Sequence, residues 1–311
     1  MKKEATFLNI LKGNRFQHIL TNILCYALLI CIAFLILFPL VEHISGSFMS
    51  KDDLLNESVL YIPKSPTLSR YKTAIQLMEY GKSFLNSFML SALCALLQAA
   101  SCLLIGYGFA RFEFPFRKLL FGIVIFTIIM PIQVIITPLF LKFRFVDIFG
   151  IFKAVLGQPL NLLDSYWPFI ALSVFGLGFK NGLYIYLFRQ FFRGLPRELE
   201  EAGLIDGTGF WGIFYRIMLP NSFPMIVTVL LFSFSWQWVD NYYTVVFFKE
   251  YRVLSLALSY LKSFVELYMT PVESASVMSA GLLLIILPLV VLYVFLQRFF
   301  IQGLERSGIV G

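Results

Sequence analysis

Six stretches of this 311-residue chain are apolar over the length of a lipid bilayer, and no other feature limits the fold as strongly. They run over 19–40, 84–110, 119–141, 167–188, 223–248 and 277–300, each reaching the roughly 20 residues that a hydrocarbon core requires. Lipid offers the backbone no water to bond to, so each run is expected to be an α-helix; an open sheet would strand unpaired edge groups. The expected fold class is all-α, a polytopic membrane protein with six transmembrane helices. Composition agrees, with 59% hydrophobic and 14% charged residues where a soluble domain has about 45–50% and about 25%.

The charged residues that remain fix an orientation. Lys2, Lys3, Lys12 and Arg15 precede the first run, Arg111, Arg117 and Lys118 follow the second, and Arg189, Arg193, Arg197 and Arg216 follow the fourth. Short loops rich in Lys and Arg stay in the cytoplasm, and Arg298 and Arg306 place the C-terminus there too. The formal charge of +7 is scattered in small groups and forms no single basic face, so no nucleic-acid partner is expected.

The chain divides into a cytoplasmic, amphipathic N-terminal segment over 1–18, a first span with a long external loop over 19–83, a core transmembrane domain over 84–300, and a cytoplasmic tail over 301–311. No small-residue cleavage site follows the first run, so it is expected to stay as an anchor in contact with lipid. Cys25, Cys31, Cys94 and Cys102 all fall inside apolar runs without metal-type spacing and read as small buried residues.

One segment resists this scheme. "PRELEEAGLIDGTGFWGIFYRIMLPNS", from Pro196 to Ser222, is too polar for lipid and too apolar to stand free in water. Pro196 suits the first turn of a helix, Glu198, Glu200 and Glu201 suit its positive end, and Gly207 suits its stop. A second helix opened by Thr208 and ended by Pro220 would present Phe210, Ile213, Phe214 and Ile217, while the first presents Leu195, Leu199 and Ala202. Two short helices with apolar faces, held inside the cell, read as a surface for docking another protein.

Glu201-Ala202-Gly203, three residues, Gly207, nine residues, then Ile217-Met218-Leu219-Pro220 is similar to the EAA loop of ABC importer permeases. The departure is Gly203, which stands where the family has a second alanine and keeps the position small. "NSFMLSALCALLQAASCLLIGYGFARFEFPFRKLLF" and "LQRFFIQGLERSGIVG" extend the likeness, and among such permeases the chain most resembles the six-span subunit of the maltose type.

The resemblance implies a permease subunit in a bacterial-type cell membrane, with loop 193–222 as its cytoplasmic coupling-helix loop. Glu198, Glu201, Ala202, Gly203, Asp206, Gly207, Ile217, Leu219 and Pro220 would couple it to an ATPase. It further implies a second permease subunit as a heteromeric partner, two ATP-binding subunits carrying ATP and Mg, and an extracytoplasmic solute-binding protein. This chain itself would bind no cofactor, and the expected solute is a sugar or oligosaccharide.

Catalytic alternatives lack residues. The chain has no phosphate-binding G-x-x-x-x-G-K-[ST], since Gln76 stands at the first glycine position ahead of "YGKS". Its two histidines, His18 and His43, flank the first run at opposite ends. The reading is therefore a non-catalytic transport subunit. A self-contained secondary transporter is the alternative, although it would need its own ion site and internal repeats.

Polar residues inside the runs mark the candidate solute pathway: Gln98, Gln133, Lys180, Asn181, Gln237, Asp240 and Asn241. Lys180 and Asn181, between Gly176 and Gly182, suggest a broken helix, or a continuous one whose lysine snorkels. Asp240 lies beside Trp236, Trp238, Tyr242 and Tyr243, either a sugar-type lining or an interfacial aromatic belt. Pro131 and Pro138 are expected to curve the third span around a cavity.

Overall fold

The computed structural model describes the backbone of residues 2–56, 58–250 and 252–308 and, within these, the side chains between 18 and 298. The amphipathic side chains expected before His18 and the side chains of the tail lie outside the described residues. In chain order the helices are α1 (Lys2–Phe48), α2 (Lys51–Leu55), α3 (Ser69–Leu77), α4 (Tyr80–Arg111), α5 (Arg117–Ile129), α6 (Ile132–Arg144), α7 (Ile151–Leu156) and α8 (Trp167–Val174). They continue as α9 (Asn181–Gly194), α10 (Glu198–Ile205), α11 (Phe210–Ile213), a π-helical turn at Phe214–Met218, α12 (Leu219–Asn221), α13 (Phe223–Trp238), α14 (Tyr242–Phe247), α15 (Leu254–Tyr268) and α16 (Pro271–Gly308). The described residues are helical throughout their regular structure, with one isolated bridge between Val146 and Leu160.

Two compact units emerge, one running up to Ala74 and including Phe264–Leu283, the other comprising Ile75–Ser263 and the chain from Leu284 onward. In the first, α1 presents Ile23, Leu28, Phe34 and Ile36 openly, as a helix in lipid does. Cys25 and Cys31 are exposed on it, contrary to the expectation of burial, because α1 offers no packed face at their depth. Beyond Leu40 the helix continues to Phe48, where His43 Nδ1 and Ser279 Oγ share a hydrogen bond of 2.9 Å and Ser276 Oγ donates to the Gly46 carbonyl at 2.7 Å. The expected external loop thus begins with helix.

The second unit is organised on α4, which packs against α8, α9 and α13. It lies close against α9 at Gly106, where a Cβ would come within 2.5 Å of Phe188 Cβ; the missing side chain lets the two backbones meet. Around that contact Cys102, Leu103, Tyr107, Phe188, Phe192 and Met225 form a buried core.

Each of the six apolar runs is largely helical, but among the described residues only α1, α4 and α16 are single helices of spanning length and apolarity, and counting each bent pair as one span raises the number to five. The third run, expected to curve, instead turns by 102° between α5 and α6. Pro131 supplies no N–H and forces Met130 into extended backbone (φ −64°, ψ 123°), whereas Pro138 sits inside an unbroken α6. The fourth run breaks between α8 and α9. The fifth stops at Trp238, and α14 restarts it after Asp240.

Candidate functional site

The chain leaves α9 through extended Leu195 ahead of Pro196, and α10 opens with Glu198, Glu200 and Glu201 in its first turn, where the helix dipole favours carboxylates. It closes as a Schellman motif: Thr208 N–H donates to the Gly203 carbonyl at 2.9 Å and Gly207 N–H to the Leu204 carbonyl at 3.0 Å. That geometry puts Gly207 at φ +74°, the left-handed region that glycine enters without strain. The expected stop at Gly207 is therefore present.

The second helix differs in detail from expectation. Gly209 in extended backbone opens α11, not Thr208. Pro220 does not end the run either, since α12 passes through it at a first-turn position and meets α13 at a bend of 70°. Proline is tolerated there because the first-turn N–H groups have no intrahelical partner.

Ile213, Phe214 and Met218 are buried under the hairpin. Gly203 is the buried residue of α10, and a Cβ on it would lie 2.9 Å from Ile217 Cδ1 and 3.1 Å from Ile213 Cγ1. The small residue is what lets α10 settle on the π-helical turn. Ala202, expected on the packed face, points outward one step around the helix, together with Glu198, Glu201 and Asp206. Leu219 is half-buried and Pro220 exposed.

The outward face is unusually apolar: Leu204 is 61% exposed, Ile205 86%, Trp211 61% and Tyr215 57%. The hairpin is nonetheless held firmly. Tyr107 Oη donates to Glu200 Oε1 at 3.0 Å, Arg111 Nε lies 3.4 Å from the same oxygen, and Arg111 Nη2 donates to the Leu195 carbonyl at 2.8 Å. Tyr107 also packs its ring on Phe192, Phe210 and Phe214. Sequence reasoning missed this clamp between the end of α4 and α10; the available signal was Tyr107 and Arg111 one helical turn apart.

A second site forms where the fourth run breaks. Phe175 to Lys180 is non-helical, with Gly176 at φ +69° and Lys180 at φ +66°. A cavity of about 580 Å³ opens there, lined by the 127–132 bend, residues 176–183, Tyr242 and Tyr243. Lys180 Nζ lies 5.0 Å from the Trp236 ring centroid and 5.4 Å from that of Phe179. Asn181 is 1% exposed, and neither its Oδ1 nor its Nδ2 has a hydrogen-bond partner.

The other pathway candidates separate. Gln98 is buried, where its Oε1 accepts from Ser233 Oγ and its Nε2 donates to Ser173 Oγ at 3.4 Å. Gln237 is buried with Nε2 unpartnered, and both glutamines, with Gly178 and Tyr243, line a small void beside the main cavity. Asp240 is buried and accepts N–H bonds from Tyr242, Tyr243 and Thr244 at 3.0–3.3 Å, so its carboxylate caps α14. Asn241 and Gln133 are exposed, outside the cavity.

A family model described as "Binding-protein-dependent transport system inner membrane component" matches residues 102–306. The chain is similar to an arabinooligosaccharides transport system permease protein of Halalkalibacterium halodurans, 27% identical over 90% of this chain and 93% of that one. It is 28% identical to a galactooligosaccharides transport system permease protein of Bacillus subtilis, over 92% of this chain and 94% of the relative. It is also 28% identical to an sn-glycerol-3-phosphate transport system permease protein of Yersinia pestis, over 92% and 96%. Its fold is shared with a chain of a bacterial ABC transporter involved in the import of the acidic polysaccharide alginate, at a TM-score of 0.70 and 21% identity, covering 90% of this chain and 96% of that one.

Proposed function

The chain belongs to the family of binding-protein-dependent transport system inner membrane components, and from that premise we propose that it forms half of the translocation pathway of an ATP-driven importer of a sugar or oligosaccharide. It is a non-catalytic transport subunit. ATP and Mg belong, in this reading, to two separate ATP-binding subunits. A second permease completes the pathway, and an extracytoplasmic binding protein delivers the solute.

The observation that carries the reading is the hairpin. Leu204, Ile205, Trp211 and Tyr215 are exposed apolar side chains on the same hairpin as the exposed Glu198, Glu201 and Asp206, a segment clamped to α4 through Glu200. Exposed apolar patches of this kind mark protein contacts, and a rigid tie to a long helix lets a push on the patch move the bundle. Ala202, Gly203, Gly207, Ile217, Leu219 and Pro220 build the hairpin or its rim and complete the proposed coupling element. Both termini lie on the same cytoplasmic side as this loop, with 84–300 as the transport core. Sugar as solute class is supported by the oligosaccharide relatives and by the ring-lined cavity, which with Lys180 and Asn181 we place on the solute pathway, with Gln98 and Gln237 beside it. Gln133, Asp240 and Asn241 are retained on the pathway only as flanking positions.

The test is crosslinking. With the four native cysteines replaced and a single cysteine introduced by Ala202→Cys, membranes containing the complete transporter should yield a crosslink to an ATP-binding protein whose yield changes with nucleotide. An accessible cysteine that never meets an ATP-binding protein would hand the function to a self-contained secondary carrier.

A further inference from the structure

The cavity at the broken helix says something about the charge of the solute. Its volume of about 580 Å³ is within the roughly 300–1,000 Å³ typical of small-molecule sites. Lys180 stands at its wall, and the ion pairs found among the described residues do not include it. The two rings beneath it, Trp236 and Phe179, stabilise the cation by their faces while leaving its N–H donors free to point elsewhere. The Asp240 carboxylate is taken up by three backbone N–H groups at the start of α14 and forms no ion pair with Lys180 among the described residues.

Two further groups converge on the same space. The 14-residue helix α9 begins at Asn181, so its positive end opens on the cavity. Asn181 is a lining residue of the cavity, 1% exposed, and neither polar atom of its side-chain amide is bonded. A buried amide left open in this way is completed by a ligand that brings its own hydrogen-bonding atoms. A neutral sugar would satisfy the amide but leave the exposed Lys180 ammonium and the helix end unanswered. A sugar bearing an oxyanion answers the ammonium, the helix end and the amide together, with Tyr242 and Tyr243 as aromatic lining beside them.

We propose that this cavity is a subsite for the acidic group of a sugar, with Lys180 selecting solutes that carry a carboxylate or a phosphate, an inference that rests on the pathway reading above. The probe is the complete transporter in phosphatidylcholine nanodiscs, with Cys25 and Cys31 replaced by serine and a reporter introduced by Leu177→Cys on the cavity wall. Labelling of that cysteine is followed by mass spectrometry in glucuronate, glucose 6-phosphate or glucose. The expected result is protection by one or both anions at concentrations about tenfold or more below that needed for glucose. Lys180→Gln should remove the difference and Lys180→Arg, which keeps the charge and controls for assembly, should retain it.

Equal protection by all three sugars, absence of protection by either anion, or discrimination that survives Lys180→Gln overturns the proposal. So does protection by phosphatidylglycerol alone in nanodiscs containing it, since the cation would then be serving a lipid phosphate. These failures leave the Ala202→Cys crosslink unaffected, so an error about the solute and an error about coupling are told apart.

Discussion

The hairpin between α9 and α13 and the cavity between α8 and α9 treat polar groups in opposite ways. In the hairpin the key charge, half-buried Glu200, is satisfied by Tyr107 and Arg111, and the surplus lies in exposed apolar side chains such as Ile205 and Trp211. In and beside the cavity the surplus lies in buried polar groups without partners, Asn181 on its lining and Gln237 in the adjoining void. A surface that must be covered by a protein needs apolar area to desolvate and a rigid frame behind it. A space that must be filled transiently by a small polar solute needs hydrogen-bonding groups left open, at a cost in stability. The two regions therefore predict opposite signs when their polar groups are removed.

The largest expected effect lies in the hairpin. Arg111→Met removes the cation beside Glu200 and the donor to the Leu195 carbonyl, with the Arg111 side chain only 6% exposed. Removing the cation from this half-buried pair, together with its bond to the Leu195 carbonyl, is expected to cost about 2 kcal/mol. It should show as a lowered unfolding temperature of the purified transporter and as faster proteolysis within 195–222. Unchanged stability would mean that the hairpin is held by its aromatic packing alone, and the contrast with the cavity would lose its first half.

The cavity should respond in the other direction. Asn181→Leu replaces an amide with no partner by an apolar group of similar size; an unmade buried hydrogen bond costs about 1–3 kcal/mol, so a gain of about 1 kcal/mol is expected. The same variant should lose the protection of the Leu177→Cys reporter by anionic sugars. A variant that is destabilised would show Asn181 to be a structural amide, satisfied by ordered water.

Much of the hairpin was legible because its signals are local. Gly207 as a stop and the acidic first turn follow from helix-end chemistry, the small residue at Gly203 follows from the resemblance to the EAA loop, and the geometry adds what Gly203 touches. The clamp was not legible, since Tyr107 and Arg111 lie 93 and 84 residues in sequence from the groups they bind, Glu200 and Leu195. The breaks were half legible. Glycines around Lys180 announced one and Pro131 another, but a proline does not state its angle, and 102° exceeds any gentle curve. The break after Trp238 was hidden because Asp240 reads in composition as an intramembrane acid, while its carboxylate is occupied as a helix cap. Composition counts a polar group; only geometry shows whether it is spent.

The smallest expected effect tests the same distinction on the loop after α1. Asp53 resembles Glu200 in being satisfied, its Oδ2 accepting from Ser65 N–H at 2.9 Å while its own N–H donates to Ser50 Oγ at 3.1 Å. The bond from Ser65 favours the ionised carboxylate and holds its pKa below the ordinary value. A group lowered on folding contributes stability above its unfolded pKa, and that contribution fades as pH falls through the lowered folded value. Hydrogen exchange of Ser65 and its neighbours should therefore accelerate only below the ordinary aspartate range, and Asp53→Asn should flatten the dependence. If exchange there proved indifferent to acid, the Ser65 bond would carry no weight in solution. The rule drawn from the hairpin, that a satisfied polar group anchors its segment, would then need the protection from water that Glu200 has beneath Tyr107 and Arg111.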